Sequence, residues 1–302
     1  MKRFFNSVFR LLALVPLFLT ACGSAPQSSD GTLRVLASTT FLADMAQNVA
    51  GDRLTVESLL PVGADPHAYQ AVPSDVAKIA ESNVLILNGF EYEHFIETLL
   101  SNAGGERLIV TASVGLQPDH MEEDGAQVSD PHMWLDPNRA IEYVKNIRDG
   151  LAQTDPAGTA VYDANAEAYI SQLKDLDAWI KEEVDMIPVE RRLLVTNHES
   201  MGYFAERYGF TVVDTILPSF SSEASASAQE IAASIELVKS SGAPAIFLSE
   251  VENADLADQI AAETNVKVIS DLHLESLTNG APAATYIDMM KYNVSRIVEA
   301  LQ

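Results

Sequence analysis

The chain of 302 residues contains a single cysteine, Cys22. One thiol excludes an intrachain disulfide and a cysteine-built zinc module, so any metal this protein holds must be held by nitrogen and oxygen. Basic residues are also scarce, with 19 Lys and Arg against 43 Asp and Glu and a formal charge of −24. So acidic a surface argues against nucleic acid as a partner and tends to draw cations. Long hydrophobic runs are missing as well. The stretch "LLALVPLFLT" (11–20) is too short for a comfortable membrane span.

That stretch has another reading. It follows the positively charged "MKRFFNSVFR" and leads into Leu19-Thr20-Ala21-Cys22, the layout of a secretory signal over residues 1–21. The last four residues resemble the bacterial lipobox, in which the cysteine becomes lipid-modified and is the new N-terminus. Cys22 is therefore the expected lipidation site, and "GSAPQSSDGT" after it makes residues 22–31 a Gly/Ser/Pro tether. Loss of Lys2, Arg3 and Arg10 with the leader takes the charge from −24 to −27.

Downstream, short apolar runs alternate with helical patterns. "TLRVLAST" precedes "FLADMAQNVAG", "NVLILNG" precedes "EYEHFIETLLSNAG", and "ERLIVTAS" precedes an acidic loop, 117–130. This is the signature of βα units around a mostly parallel sheet. Asp136 and Pro137 form a helix start, and a second start stands at Asp155-Pro156. From there to Pro188 no strand is offered. Val161, Tyr169, Leu173, Leu176, Ile180 and Val184 follow the spacing of one helical face. The alternation then resumes from "RRLLVTNH" to the terminal "TYIDMMKYNVSRIVEALQ". The expected fold is α/β: two Rossmann-like lobes of about four βα units each (32–154 and 188–302), joined by a long spine helix (155–187).

In open α/β sheets, ligands bind beyond the carboxyl ends of strands. His67, His132, His198 and Asp271 all fall at such ends, and the first two sit in repeated Asp-Pro-His loops stiffened by Pro66 and Pro131. Three imidazoles and a carboxylate form a four-coordinate set suited to zinc. Taken singly, His198 also reads as a neighbour of a helix N-cap and Asp271 as a turn aspartate. His94 reads as part of a solvated helix face, His120 as part of a disordered acidic loop, and His273 as a substitute for Asp271.

Together these motifs resemble the high-affinity zinc and manganese solute-binding proteins of bacterial ABC importers, cluster A-I. "DPHAYQ" matches the family's Asp-Pro-His-x-Tyr/Phe-Glu/Gln, and "DPHMWLDP" its His-x-Trp-Leu-Asp-Pro. "VTNHESMGYFAERYG" matches the His region before a Tyr-Gly, and "VKVISD" the strand that ends in the last carboxylate. The resemblance implies that His67, His132, His198 and Asp271 are the metal ligands. Histidine rather than glutamate at 198 tilts the expected cargo toward zinc, with manganese as the alternative. The short loop 117–130 holds one histidine, unlike the long histidine-rich loop of many zinc-specific relatives. Asp65, Asp130 and Glu250 are expected to orient ligands, His273 to support or replace Asp271, and Glu199 to offer an oxygen beside His198.

The resemblance further implies a monomer that delivers its ion to a membrane permease and its ATPase subunit. Such a protein resides in the cell envelope, lipid-anchored through Cys22 on the outer face of the cytoplasmic membrane or in the periplasm. Two other classes compete. A zinc-dependent hydrolase would need an open coordination position, and no His-Glu-x-x-His helix is present. A surface adhesin would need an exposed apolar patch.

Overall fold

The structure, a computed structural model, describes residues 33–302 apart from position 124. The expected leader, tether and lipidation site at Cys22 lie outside the described residues. No helix among those residues is long and apolar enough to cross a membrane.

The first lobe is built on β1 (Val35–Ala37), β2 (Val56–Ser58), β3 (Val84–Leu87) and β4 (Leu108–Thr111). All pairs are parallel, in the order β2-β1-β3-β4. Three helices, α1 (Thr40–Ala50), α2 (Pro73–Glu81) and α3 (Ile96–Ala103), follow β1, β2 and β3. Thr39 caps α1 by accepting from the Leu42 N–H. Gly51 ends it at φ 57°, where a Cβ would come within 2.6 Å of Asn165.

The second lobe repeats the plan with β7 (Leu193–Thr196), β8 (Thr211–Thr215), β9 (Ala245–Ser249) and β10 (Lys267–Leu272), parallel in the order β10-β9-β7-β8. Its helices are α6 (Gly202–Tyr208), α7 (Ala228–Ser241), α8 (Asp255–Thr264) and α9 (Tyr286–Leu301). Ser227 and Glu230 cap α7 reciprocally.

Between the sheets run α4 (Pro137–Thr154), with Asp136 as its cap, and α5 (Thr159–Val184). At 26 residues, α5 extends about 39 Å. Its buried face carries Tyr162, Tyr169, Leu173, Leu176, Ile180 and Val184, while Val161 is exposed. Helix α5 packs on α1 and α4 on one side and on α9 on the other. One continuous apolar core therefore runs from Phe41 and Val84 through Leu173 to Phe247 and Met289. Smaller cores around Leu85 and Ile246 fill the outer faces of the two sheets.

Two local expectations are corrected. Residues 117–130 are not a disordered loop, because β5 (His120–Glu123) and β6 (Ala126–Ser129) pair there as an antiparallel hairpin. His120 is exposed on it, with Nδ1 3.2 Å from Ser129 Oγ. Nor does His94 ride a helix. Phe90 and Glu91 take positive φ, which bars helical backbone and delays α3 until Ile96.

Candidate metal centre

Three histidines meet beyond the carboxyl ends of the two sheets. The first, His67, sits in a turn after β2, where its backbone N–H donates to Asp65 Oδ1 at 2.8 Å. The other Asp65 oxygen accepts from Ser222 Oγ of the opposite lobe at 2.7 Å. The His67 ring is 2% exposed and stands edge-on to Tyr92.

His132 is fully buried in the second Asp-Pro-His loop. Asp130 Oδ1 accepts its backbone N–H at 2.9 Å and lies 2.8 Å from its Nδ1. That contact places the ring proton on Nδ1 and leaves Nε2 with a free lone pair. Trp134 packs tilted against the ring at 5.2 Å between centroids, and its indole N–H donates to the Leu274 carbonyl at 2.9 Å. Burial holds the His132 pKa below the ordinary imidazole value, against the pull of Asp130.

His198 follows β7 and is also fully buried. Its Nδ1 lies 2.5 Å from Glu252 Oε1, an oxygen that also accepts from Asn197 Nδ2. The second Glu252 oxygen accepts the Ser249 N–H. Burial disfavours charge on this imidazole, but Glu252 and Glu275 outweigh it and raise its pKa to about 10.

Glu275 supplies the carboxylate. Oε1 lies 3.3 Å from His198 Nε2, 3.5 Å from His67 Nε2 and 3.8 Å from His132 Nε2, while the Nε2 atoms of His132 and His198 are 3.3 Å apart. One donor atom from each of the four residues lies within 4.8 Å of every other. Around a tetrahedral ion with bonds of about 2.0–2.1 Å, neighbouring donors stand about 3.3–3.4 Å apart. The observed separations start at that value and extend above it, as in a set of donors that an ion would draw slightly closer. Glu275 Oε1 and both ring nitrogens of His67 are buried without a hydrogen-bond partner. Buried polar atoms are seldom left so unless they serve another ligand. The residues fit a divalent ion with N3O donors. Burial pushes the Glu275 pKa up, yet His67 and His198 hold it well below the usual carboxylate range.

The structure brings His67, His132 and His198 together and does not bring Asp271 to them. Asp271 faces α9, where Oδ2 accepts from Tyr292 at 2.8 Å and from Arg296 Nε at 3.0 Å, and its side chain is 47% exposed. The carboxylate among the imidazoles is Glu275, four residues on and past the end of β10. The signal lay in "SDLHLESL", where only the second acid follows the strand. Glu199, beside His198, turns away to accept from Thr215 Oγ1. Glu250 Oε1 stands 2.8 Å from His273 Nδ1 without the geometry of a hydrogen bond, and neither residue is among the four converging donors. Asp65 and Asp130 do buttress His67 and His132. Glu252 and Tyr92 carried no motif that singled them out.

The mouth beside His67 is lined by Phe90, Tyr92, Pro131 and Phe220. Glu91, His94, Glu123, Ser129 and Ser221 share that lining, so the walls are mixed and carry acidic groups that attract a cation.

Comparison with known proteins identifies the family. The family described as ZnuA, zinc-uptake complex component A, periplasmic, matches residues 35–300. The manganese-binding lipoprotein MntA of Halalkalibacterium halodurans is 32% identical over 296 residues, covering 96% of this chain and 97% of that one. The iron-binding protein YfeA of Yersinia pestis is 31% identical, covering 97% and 94%. A manganese-bound serine-to-alanine variant of the periplasmic metal binding protein from Candidatus Liberibacter asiaticus superposes with a TM-score of 0.81 at 29% identity, covering 90% of this chain and 100% of that one. With donors, fold and sequence in agreement, the chain belongs to the ZnuA family of metal-binding, solute-binding proteins of ABC transporters, which are not enzymes.

Proposed function

We propose that this protein captures one divalent transition-metal ion through Nε2 of His67, His132 and His198 and Oε1 of Glu275. It then hands the ion to a membrane permease driven by its ATPase subunit. The observation that carries this reading is the set of four converging donor atoms, with Glu275 Oε1 and His67 Nε2 buried and unpaired. After removal of residues 1–21, lipid on Cys22 and the tether 22–31 hold the protein at the outer face of the cytoplasmic membrane. The lobes 32–154 and 188–302 supply two donors each, so the ion ties them together across the spine 155–187. Release then requires the permease to part the lobes, and the core shared along α5 limits how far they swing.

Zinc is the preferred cargo. Three imidazoles and one carboxylate oxygen complete its tetrahedral sphere, and nitrogen-rich sites bind zinc more tightly than manganese. Manganese is the second reading, favoured by the name of the manganese-binding relative and by the manganese-bound neighbour. Elemental analysis of the purified mature protein, followed by competition between the two metals, tests both. A bound divalent ion lost in His198→Ala with retained fold is the expected result. A protein that retains neither metal at stoichiometric concentration refutes the assignment.

A further inference from the structure

Tyr92 is 1% exposed and touches several parts of the site at once. Its ring packs on Trp134 at 4.8 Å and stands edge-on to His67 at 5.2 Å, between centroids. The hydroxyl donates to Glu275 Oε2 at 3.3 Å, a long contact but the one donor that reaches that oxygen among the described residues. The two Glu275 oxygens are therefore inequivalent: Oε1 faces three imidazole nitrogens, and Oε2 faces a phenol.

The backbone that delivers this phenol is unusual. Gly89, Phe90 and Glu91 take φ of 100°, 53° and 60° in succession, a region that non-glycine residues seldom enter. Fully buried Glu93 fastens the bend by accepting from Ser38 Oγ at 2.6 Å, the Asn88 N–H at 2.6 Å and the Gly89 N–H at 3.3 Å. Backbone strain of this kind survives where the surroundings over-determine it, and it gathers at ligand sites.

We propose that Tyr92 is a positioning residue that restricts Glu275 to a single-oxygen contact with the captured ion, and thereby favours zinc over manganese. This rests on the reading of the cluster as the cargo site. Manganese prefers a larger, oxygen-rich sphere, and Oε2 is an additional oxygen on the very carboxylate that already supplies Oε1. Zinc is complete with four donors. A hydroxyl seated on Oε2, in a site too buried for water to replace it, keeps that oxygen from turning toward the ion. The restriction costs manganese a ligand and costs zinc nothing.

Tyr92→Phe keeps the ring packing and removes the hydroxyl. Cobalt(II) serves as the probe, because four-coordinate cobalt absorbs visible light strongly and five- or six-coordinate cobalt weakly. The wild-type protein is expected to give the intense spectrum and the variant a paler one of higher coordination. The manganese-to-zinc affinity ratio should rise about tenfold, the scale of one hydrogen bond to a charged group. Identical cobalt spectra with an unchanged ratio overturn the proposal. So does a wild-type spectrum that is already five- or six-coordinate, a result that needs no folded variant. If the wild type binds none of zinc, manganese or cobalt, the cargo reading itself fails, which separates the two failures.

Discussion

Nε2 of His198 stands 3.3 Å from Glu275 Oε1 while its Nδ1 lies 2.5 Å from Glu252, so one buried imidazole is clasped between two buried carboxylates. Burial alone would keep it neutral; the two anions raise its pKa to about 10. The imidazolium is therefore the resident form below that value whenever no cation is bound, and an entering ion must displace its proton. Affinity should rise with pH across the neutral range, and zinc binding near pH 7.5 should release about one proton. Calorimetry in buffers of different ionisation heat measures this, and a buffer-independent heat would mean His198 is neutral beforehand. The linked stability has the opposite sense. It is full below the ordinary imidazole pKa and is lost as pH rises toward about 10.

The two acids of "SDLHLES" should separate cleanly. Glu275→Gln removes the anionic donor and is expected to weaken zinc binding by about 100-fold or more, by analogy with loss of a buried charged partner. Asp271→Asn should leave affinity unchanged and cost at most about 1 kcal/mol of stability, because its Arg296 pair is half exposed. Titration against a chromophoric chelator reads the first effect and urea unfolding the second. Equal losses of affinity would mean that Asp271 reaches the ion.

The carboxylates behind the imidazoles should matter less than the ligands but measurably. Glu252→Gln and Asp130→Asn each disturb the tautomer and aim of one ring, and about 10–100-fold loss of metal affinity is expected. Glu199→Gln and Glu250→Gln, whose side chains are engaged elsewhere, serve as controls and should bind as the wild type does.

Asp177 on α5 provides a test of the scaffold. It accepts from Arg207 at 2.9 and 3.0 Å, from Lys181 at 2.7 Å and from Tyr208 at 3.1 Å, tying α5 to α6. Burial pushes its pKa up, but Arg207 and Lys181 prevail and lower it to about 2. The stabilisation is thus present above the ordinary aspartate pKa of 3.8 and is lost as pH falls toward about 2. Asp177→Asn should cost about 1–2 kcal/mol at neutral pH, allowing for screening of the partly exposed Arg207 and Lys181. It should also flatten the loss of stability between about pH 4 and pH 2, as followed by denaturant melts.

Local patterns carried the sequence a long way. Alternating strand and helix periods forecast two parallel sheets, and Asp136-Pro137 forecast the start of α4. The two Asp-Pro-His loops and "TNH" identified the three imidazoles that converge. Each of these signals is written in residues a few positions apart, where turn chemistry and helical spacing act. The fourth donor was not. Whether Asp271 or Glu275 faces the histidines depends on where β10 stops and on Arg296, 25 residues downstream, claiming Asp271 from α9. Glu252 behind His198 and Tyr92 behind Glu275 are contacts across 54 and 183 residues. The sequence alone determined which imidazoles were available and which elements carried them. Packing decided which carboxylate joined them, because side chains far apart in the chain compete for the same charges only after the lobes have come together.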